Sequence, residues 1–101
     1  MRAILIDAKQ RIIREVDWEG DVLPAMYSAI GCKLVEPVHY GEHDLWVDEE
    51  GMINDLDYGF VFRGHRYFGN GPILSSDKDG ESVAALVDVA FVRRAVKFWS
   101  T

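Results

Sequence analysis

The chain has 101 residues, 49% of them hydrophobic, with a formal net charge of −6 at pH 7 and a pI of about 4.9. A chain of this length is expected to form one domain, residues 1–101, that buries roughly 60–65% of its unfolded surface without a metal or disulfide staple. The acid excess argues against a generic electrostatic grip on DNA or RNA, which draws on clustered Lys and Arg, so no direct nucleic-acid binding is expected.

Ala3 to Asp7 reads as a strand with both faces buried, and the apolar run is far too short for a signal peptide or a membrane span. A polar turn at Ala8-Lys9-Gln10 precedes a second strand, Arg11 to Trp18, with Ile12, Val16 and Trp18 on one parity. Ile13 interrupts that alternation, and the pair reads as a hairpin. Asp21 is a good N-cap for a helix from Val22 to Ile30, with Pro24 tolerated in the first turn and Gly31 as the stop. Its apolar stripe is Leu23, Met26, Tyr27 and Ile30.

Lys33 to Tyr40 is a strand candidate that Pro37 confines to an edge or a bulge. After Gly41-Glu42-His43, Leu45 to Val47 returns the chain. Asp48-Glu49-Glu50-Gly51 then reads as a hairpin turn with Gly51 at positive φ, followed by a short strand at Met52-Ile53. Asn54 to Tyr58 reads as a loop or a single helical turn. Phe60 to Phe62 and Tyr67-Phe68 flank an exposed tip, Arg63-Gly64-His65-Arg66, and Gly69 to Pro72 leads into Ile73-Leu74. Asp77 to Gly80 is a turn, and Ser82 to Leu86 is either a strand or an early extension of the last helix. Asp88 caps that helix, Val89 to Trp99, whose apolar face carries Val92, Val96 and Trp99. Arg93, Arg94 and Lys97 fall late in it, where the helix dipole favours cations. The fold expected is α+β, a mostly antiparallel sheet of about five strands with two helices packed on one face.

The order of these elements resembles a family of short uncharacterised proteins encoded by bacteriophages, plasmids and bacteria. The residues that carry the likeness are an apolar strand, the acidic turn Asp48 to Gly51, the loop Asn54-Asp55-Leu56, and the glycine-bounded strand Gly69 to Leu74. The family often has an Asn-Arg pair after the loop, where this chain reads Asp57-Tyr58-Gly59-Phe60. The resemblance implies a mobile-element accessory protein and brings no catalytic residue with it.

Three clusters could carry chemistry. Arg63, His65, Arg66 and Tyr67 could grip a phosphate or carboxylate, two guanidinium forks beside aromatics, against the plainer reading of a solvated tip. The acids Glu42, Asp44, Asp48, Glu49, Glu50, Asp55 and Asp57 are dense enough for the negative face of a binding surface, against a solvated, solubilising face. Cys32, His39 and His43 have a spacing that invites a metal, but zinc needs about four converging ligands, so no metal or other cofactor is expected. Trp18, Trp46 and Trp99 read as core or core edge, with one available to anchor a partner or a homodimer.

One cysteine and no signal-peptide pattern point to the host cytosol. The reading that follows is a small acidic non-enzymatic protein that interacts with, or inhibits, a host macromolecule. The alternatives are a small anionic ligand or nucleotide binder at the Arg63–Arg66 tip, and a metal-dependent hydrolase using His39, His43 and Asp44.

Overall fold

The computed structural model describes residues 1–51 and 56–101, and the expected Met52-Ile53 strand lies outside them. In chain order the elements are β1 (Arg2–Asp7), β2 (Ile12–Asp17), α1 (Val22–Ile30), β3 (Val35–Tyr40), β4 (His43–Asp48), β5 (Tyr58–Phe62), β6 (His65–Phe68), β7 (Gly71–Ser76), β8 (Ser82–Val83), α2 (Val89–Ala95) and β9 (Val96–Ser100). The class is α+β with antiparallel pairing, as expected, but the described strands number nine, in two sheets, rather than about five in one. The larger sheet runs β2-β1-β7-β4-β3, with β8 also on β7, and the smaller runs β6-β5-β9.

Register decides which side chains share a face, because residues directly opposite in an antiparallel pair point the same way. In the first hairpin Ile6 pairs Ile13 and Ala3 pairs Val16. Ile4, Ile6 and Ile13 therefore enter one core, while Ala3 and Val16 enter another on the opposite face. This corrects the expected parity of β2: Ile13 is buried and Ile12 is 43% exposed.

Helix α1 follows its local chemistry. The Asp21 carboxylate accepts from the Leu23 amide at 3.2 Å, and Gly31 ends the helix at φ 81° with its N–H on the Tyr27 carbonyl. Met26 and Ile30 are buried against Ala3 and Leu74, with Val22 beside them. Leu23, expected in that stripe, is 41% exposed.

Helix α2 stops at Ala95, and Val96 to Ser100 continues as strand β9 instead of completing a helix to Trp99. The segment Val96-Lys97-Phe98-Trp99 is β-branched and aromatic, and it pairs with the open edge of β5, Phe98 opposite Phe60. Ladder bonds and an aromatic cross-strand pair outweigh the weak preference of this short segment for helix.

The main core is shared by both sheets: Ile4, Ile6, Leu45, Val47 and Ile73 from the larger, Phe60 and Phe62 from the smaller, and Val92 from α2. Helix α1 lies over the other face, above Ala3 and Leu74. The helices therefore pack on opposite faces of the larger sheet, because alternating strand residues leave both its faces apolar. Pro37 is on the edge strand β3, as its missing N–H requires. Pro72 is tolerated in the central strand because the β4 ladder begins only at Ile73, so Pro72 is paired on one side alone, to Leu5.

Candidate functional site

The acidic turn and the arginine-bearing tip are about fifteen residues apart in sequence, and the fold makes them opposite walls of one groove. Its volume is about 430 Å³, and its lining includes Glu36, Asp48, Glu49 and Glu50 on one side and Arg66, Tyr67 and Phe68 on the other. Strand β4 ends at Asp48, whose carboxylate accepts from the Glu50 amide at 2.9 Å and holds the turn. Gly51 does not take the expected positive φ. It is needed for space: a β-carbon there would lie 3.0 Å from that of Phe68. Asp48 is itself buried, and the Cys32 thiol is pushed above its ordinary range by burial and then by the Asp48 charge.

Arg63 and Gly64 form the tip as a two-residue turn, with φ of 52° and 80°. The four tip candidates do not converge. Arg63 lies 5.4 Å from the Tyr40 ring centre, whereas Arg66 turns the other way onto Trp99, 3.8 Å from its ring centre. His65 is exposed, and Tyr67 points inward, its hydroxyl 2.5 Å from that of Tyr40 in a hydrogen bond that joins the two sheets. Burial and then the Tyr40 hydroxyl push the Tyr67 phenol well above its ordinary pKa.

The acids do not form one solvated face. Asp44 is buried, its two oxygens bonded to His39 Nδ1 at 2.6 Å and to the Ser76 hydroxyl at 2.7 Å. Glu42 and Glu49 are exposed, Glu50 is half-buried, and Asp57 is exposed with its carbonyl accepting from the Thr101 amide. Asp55 lies outside the described residues. The imidazole and the serine hydroxyl bind separate oxygens of Asp44, so they do not make a Ser-His-Asp relay.

The two histidines point apart. His39 pairs with Asp44, and His43 pairs with Tyr40 at the neighbouring position, so the rings fall on opposite faces of the β3–β4 hairpin. His43 Nδ1 is 3.5 Å from the Ser75 hydroxyl. Among the described residues no three His, Cys, Asp or Glu side chains gather as a metal site.

Sequence reasoning missed several contributors. Glu36 reaches the groove from β3, and Ser76 reaches Asp44 from β7. Lys97 and Trp99 come alongside Arg66 only because β9 is a strand, and Gly59 between two aromatics was the one local sign of it. Asn70, in the Gly69 to Pro72 segment, carries no sequence signal of a tertiary role. Its side chain accepts from the Lys9 amide and donates to the Ala29 carbonyl, tying the first hairpin to α1 beside a second groove of about 510 Å³.

Neither the curated proteins nor the solved structures contain a match to this chain. A family model described as Domain of unknown function (DUF3846) matches residues 1–96, which include both sheets' hairpins, the groove and both helices. By that match, the chain belongs to the DUF3846 family.

Proposed function

We propose that this is a non-enzymatic binding protein of phage or mobile-element type, which holds a basic segment of a host macromolecule in the groove between its two sheets. The observation that supports this reading is the convergence of Glu36, Asp48, Glu49 and Glu50 on one concave surface opposite Tyr67 and Phe68. Carboxylates there attract and orient a Lys or Arg, and the aromatic wall seats its aliphatic stem. The formal net charge of −6 adds long-range attraction for such a partner. The resemblance to proteins of phages and plasmids suggests the host cytosol as the place of action. Among the described residues, no helix is long and apolar enough to cross a membrane.

Binding fits the geometry better than hydrolysis, since His39 and His43 point apart and the Asp44 carboxylate is already committed to two partners. It also fits better than capture of a small anion at the tip, where Arg63 and Arg66 diverge. The test is affinity capture from host lysate with the wild type and with a Glu49→Lys/Glu50→Lys variant. The expected result is a partner held by the wild type and weakened at least tenfold, about 1.4 kcal/mol, in the variant, with melting unchanged. A partner that binds both forms equally, or no partner at all, removes this reading.

A further inference from the structure

We propose that the outer face of the three-stranded sheet binds a short stretch of single-stranded nucleic acid, Arg66 and Lys97 holding phosphates and Phe68 and Trp99 supporting the bases. The register of the central strand β5 builds this face in two rows. Val61 is opposite Arg66 on β6 and Lys97 on β9, and Gly59 is opposite Phe68 and Trp99. At a strand spacing of about 4.8 Å, the Cα atoms of Arg66 and Lys97 stand roughly 10 Å apart across Val61. The inner face of the same sheet, Phe60, Phe62 and Phe98, serves the core, whereas Val61, Phe68 and Trp99 belong to neither core cluster.

Arg66 is held ready. Its guanidinium stacks 3.8 Å from the Trp99 ring centre and lies 5.5 Å from that of Phe68, while the Trp99 indole N–H is anchored on the Tyr67 carbonyl at 3.1 Å. Among the described residues neither Arg66 nor Lys97 forms an ion pair with a carboxylate. A stacked, unpaired guanidinium loses little freedom when it meets a phosphate, and its outer plane offers a base the same stacking it already makes with Trp99. A row of aromatics beside a row of cations suits a chain that alternates bases with phosphates. An acidic peptide would use only the cations.

The net charge hides this face because it averages two unlike parts. Residues 58–68 and 88–101 hold five Lys or Arg and one acid, while the rest of the chain holds six Lys or Arg and sixteen acids. The acidic wall of the groove lies on the β3–β4 side of Arg66, so a phosphate chain on this face would run from Arg66 toward Lys97, away from the like charges of that wall.

The experiment is fluorescence anisotropy of labelled thymidine and uridine octamers, and of a labelled octaglutamate, titrated with the full chain at roughly 50 mM salt. Either octanucleotide is expected to bind, with log affinity falling against log salt at a slope of about −1.4 for two phosphate contacts. Lys97→Ala should halve that slope, and Trp99→Phe should weaken binding several-fold while keeping the fold. Arg63→Ala, off this face, should match the wild type. Arg66 and Phe68 also line the groove, whereas Lys97 and Trp99 do not, so the Glu49→Lys/Glu50→Lys variant, which strips acid from beside Arg66, should bind the octamers at least as well while losing the groove's basic partner. Dissociation constants above about 1 mM for both octamers, octaglutamate bound as tightly, or equal losses for Lys97→Ala and Arg63→Ala would each overturn the proposal.

Discussion

Gly59 has no room for a side chain. A β-carbon there would lie 2.0 Å from the Tyr67 carbonyl oxygen and 2.6 Å from the Trp99 ring, so the missing methyl is what lets the indole lie across β5. The carbonyl belongs to the paired β6 backbone and cannot swing aside. Gly59→Ala is therefore expected to destabilise the protein by about 1–3 kcal/mol or more, read by urea denaturation, and to shift the tryptophan emission as Trp99 is displaced. A variant as stable as the wild type with unchanged emission would show that the indole does not cross the strand there. Asp44 and Asp57 make the opposite point about what a residue's name conveys. Both belong by sequence to one dense acidic set, yet Asp44 is buried between His39 and Ser76 and Asp57 is exposed. Nothing local separates them, because burial of a strand residue depends on which strands arrive beside it.

At the scale of elements, α2 is the weak link. It spans seven residues, and its capping residue Asp88 accepts from the Phe91 amide at 2.8 Å. A helix this short has little cooperativity of its own, so the cap and the burial of Val92 hold it. Asp88→Ala is expected to cost about 1 kcal/mol, measured as a shift in the urea midpoint with an unchanged slope. An unchanged midpoint would mean that tertiary packing alone fixes the helix start. The continuation of α2 into β9 shows how close the competition is. Val96 and Phe98 satisfy a strand alternation as readily as Val92, Val96 and Trp99 satisfy a helical stripe over so few residues. The free edge of β5 decides between them, since it offers ladder partners for every residue from Val96 to Ser100.

At the scale of the whole molecule, two sheets share one core, and the Tyr40–Tyr67 hydroxyl pair bridges them. That bridge gives the fold an alkaline limit. The Tyr67 phenol has its folded pKa raised, so above about pH 10, the ordinary tyrosine value, the unfolded chain releases this proton first. The contribution to stability is complete below that pH and is lost as pH rises toward the folded value. Tyr58 acts in the same direction, raised by burial and then by the charges of Asp7 and Asp57. The urea midpoint is therefore expected to fall as pH increases beyond about 10, and to fall less steeply in Tyr67→Phe. Parallel declines in the two proteins would assign the alkaline limit elsewhere.

Where the determining chemistry is local, the sequence by itself was sufficient. Asp21 and Gly31 bound α1, Pro37 marks an edge strand, and Arg63-Gly64 makes the hairpin tip, because caps, a missing N–H and positive φ act within a few residues. The α+β class follows from the same periodicities. The tertiary structure alone decided that the helices take opposite faces, that the chain ends its last helix early, and that Asp44 and Asp48 are buried. It also decided that the acidic turn faces Arg66 across a groove and that Arg66 stands beside Lys97 and Trp99. Each of these depends on pairing between strands distant in sequence, and a five-residue pattern carries no information about the identity of its partner.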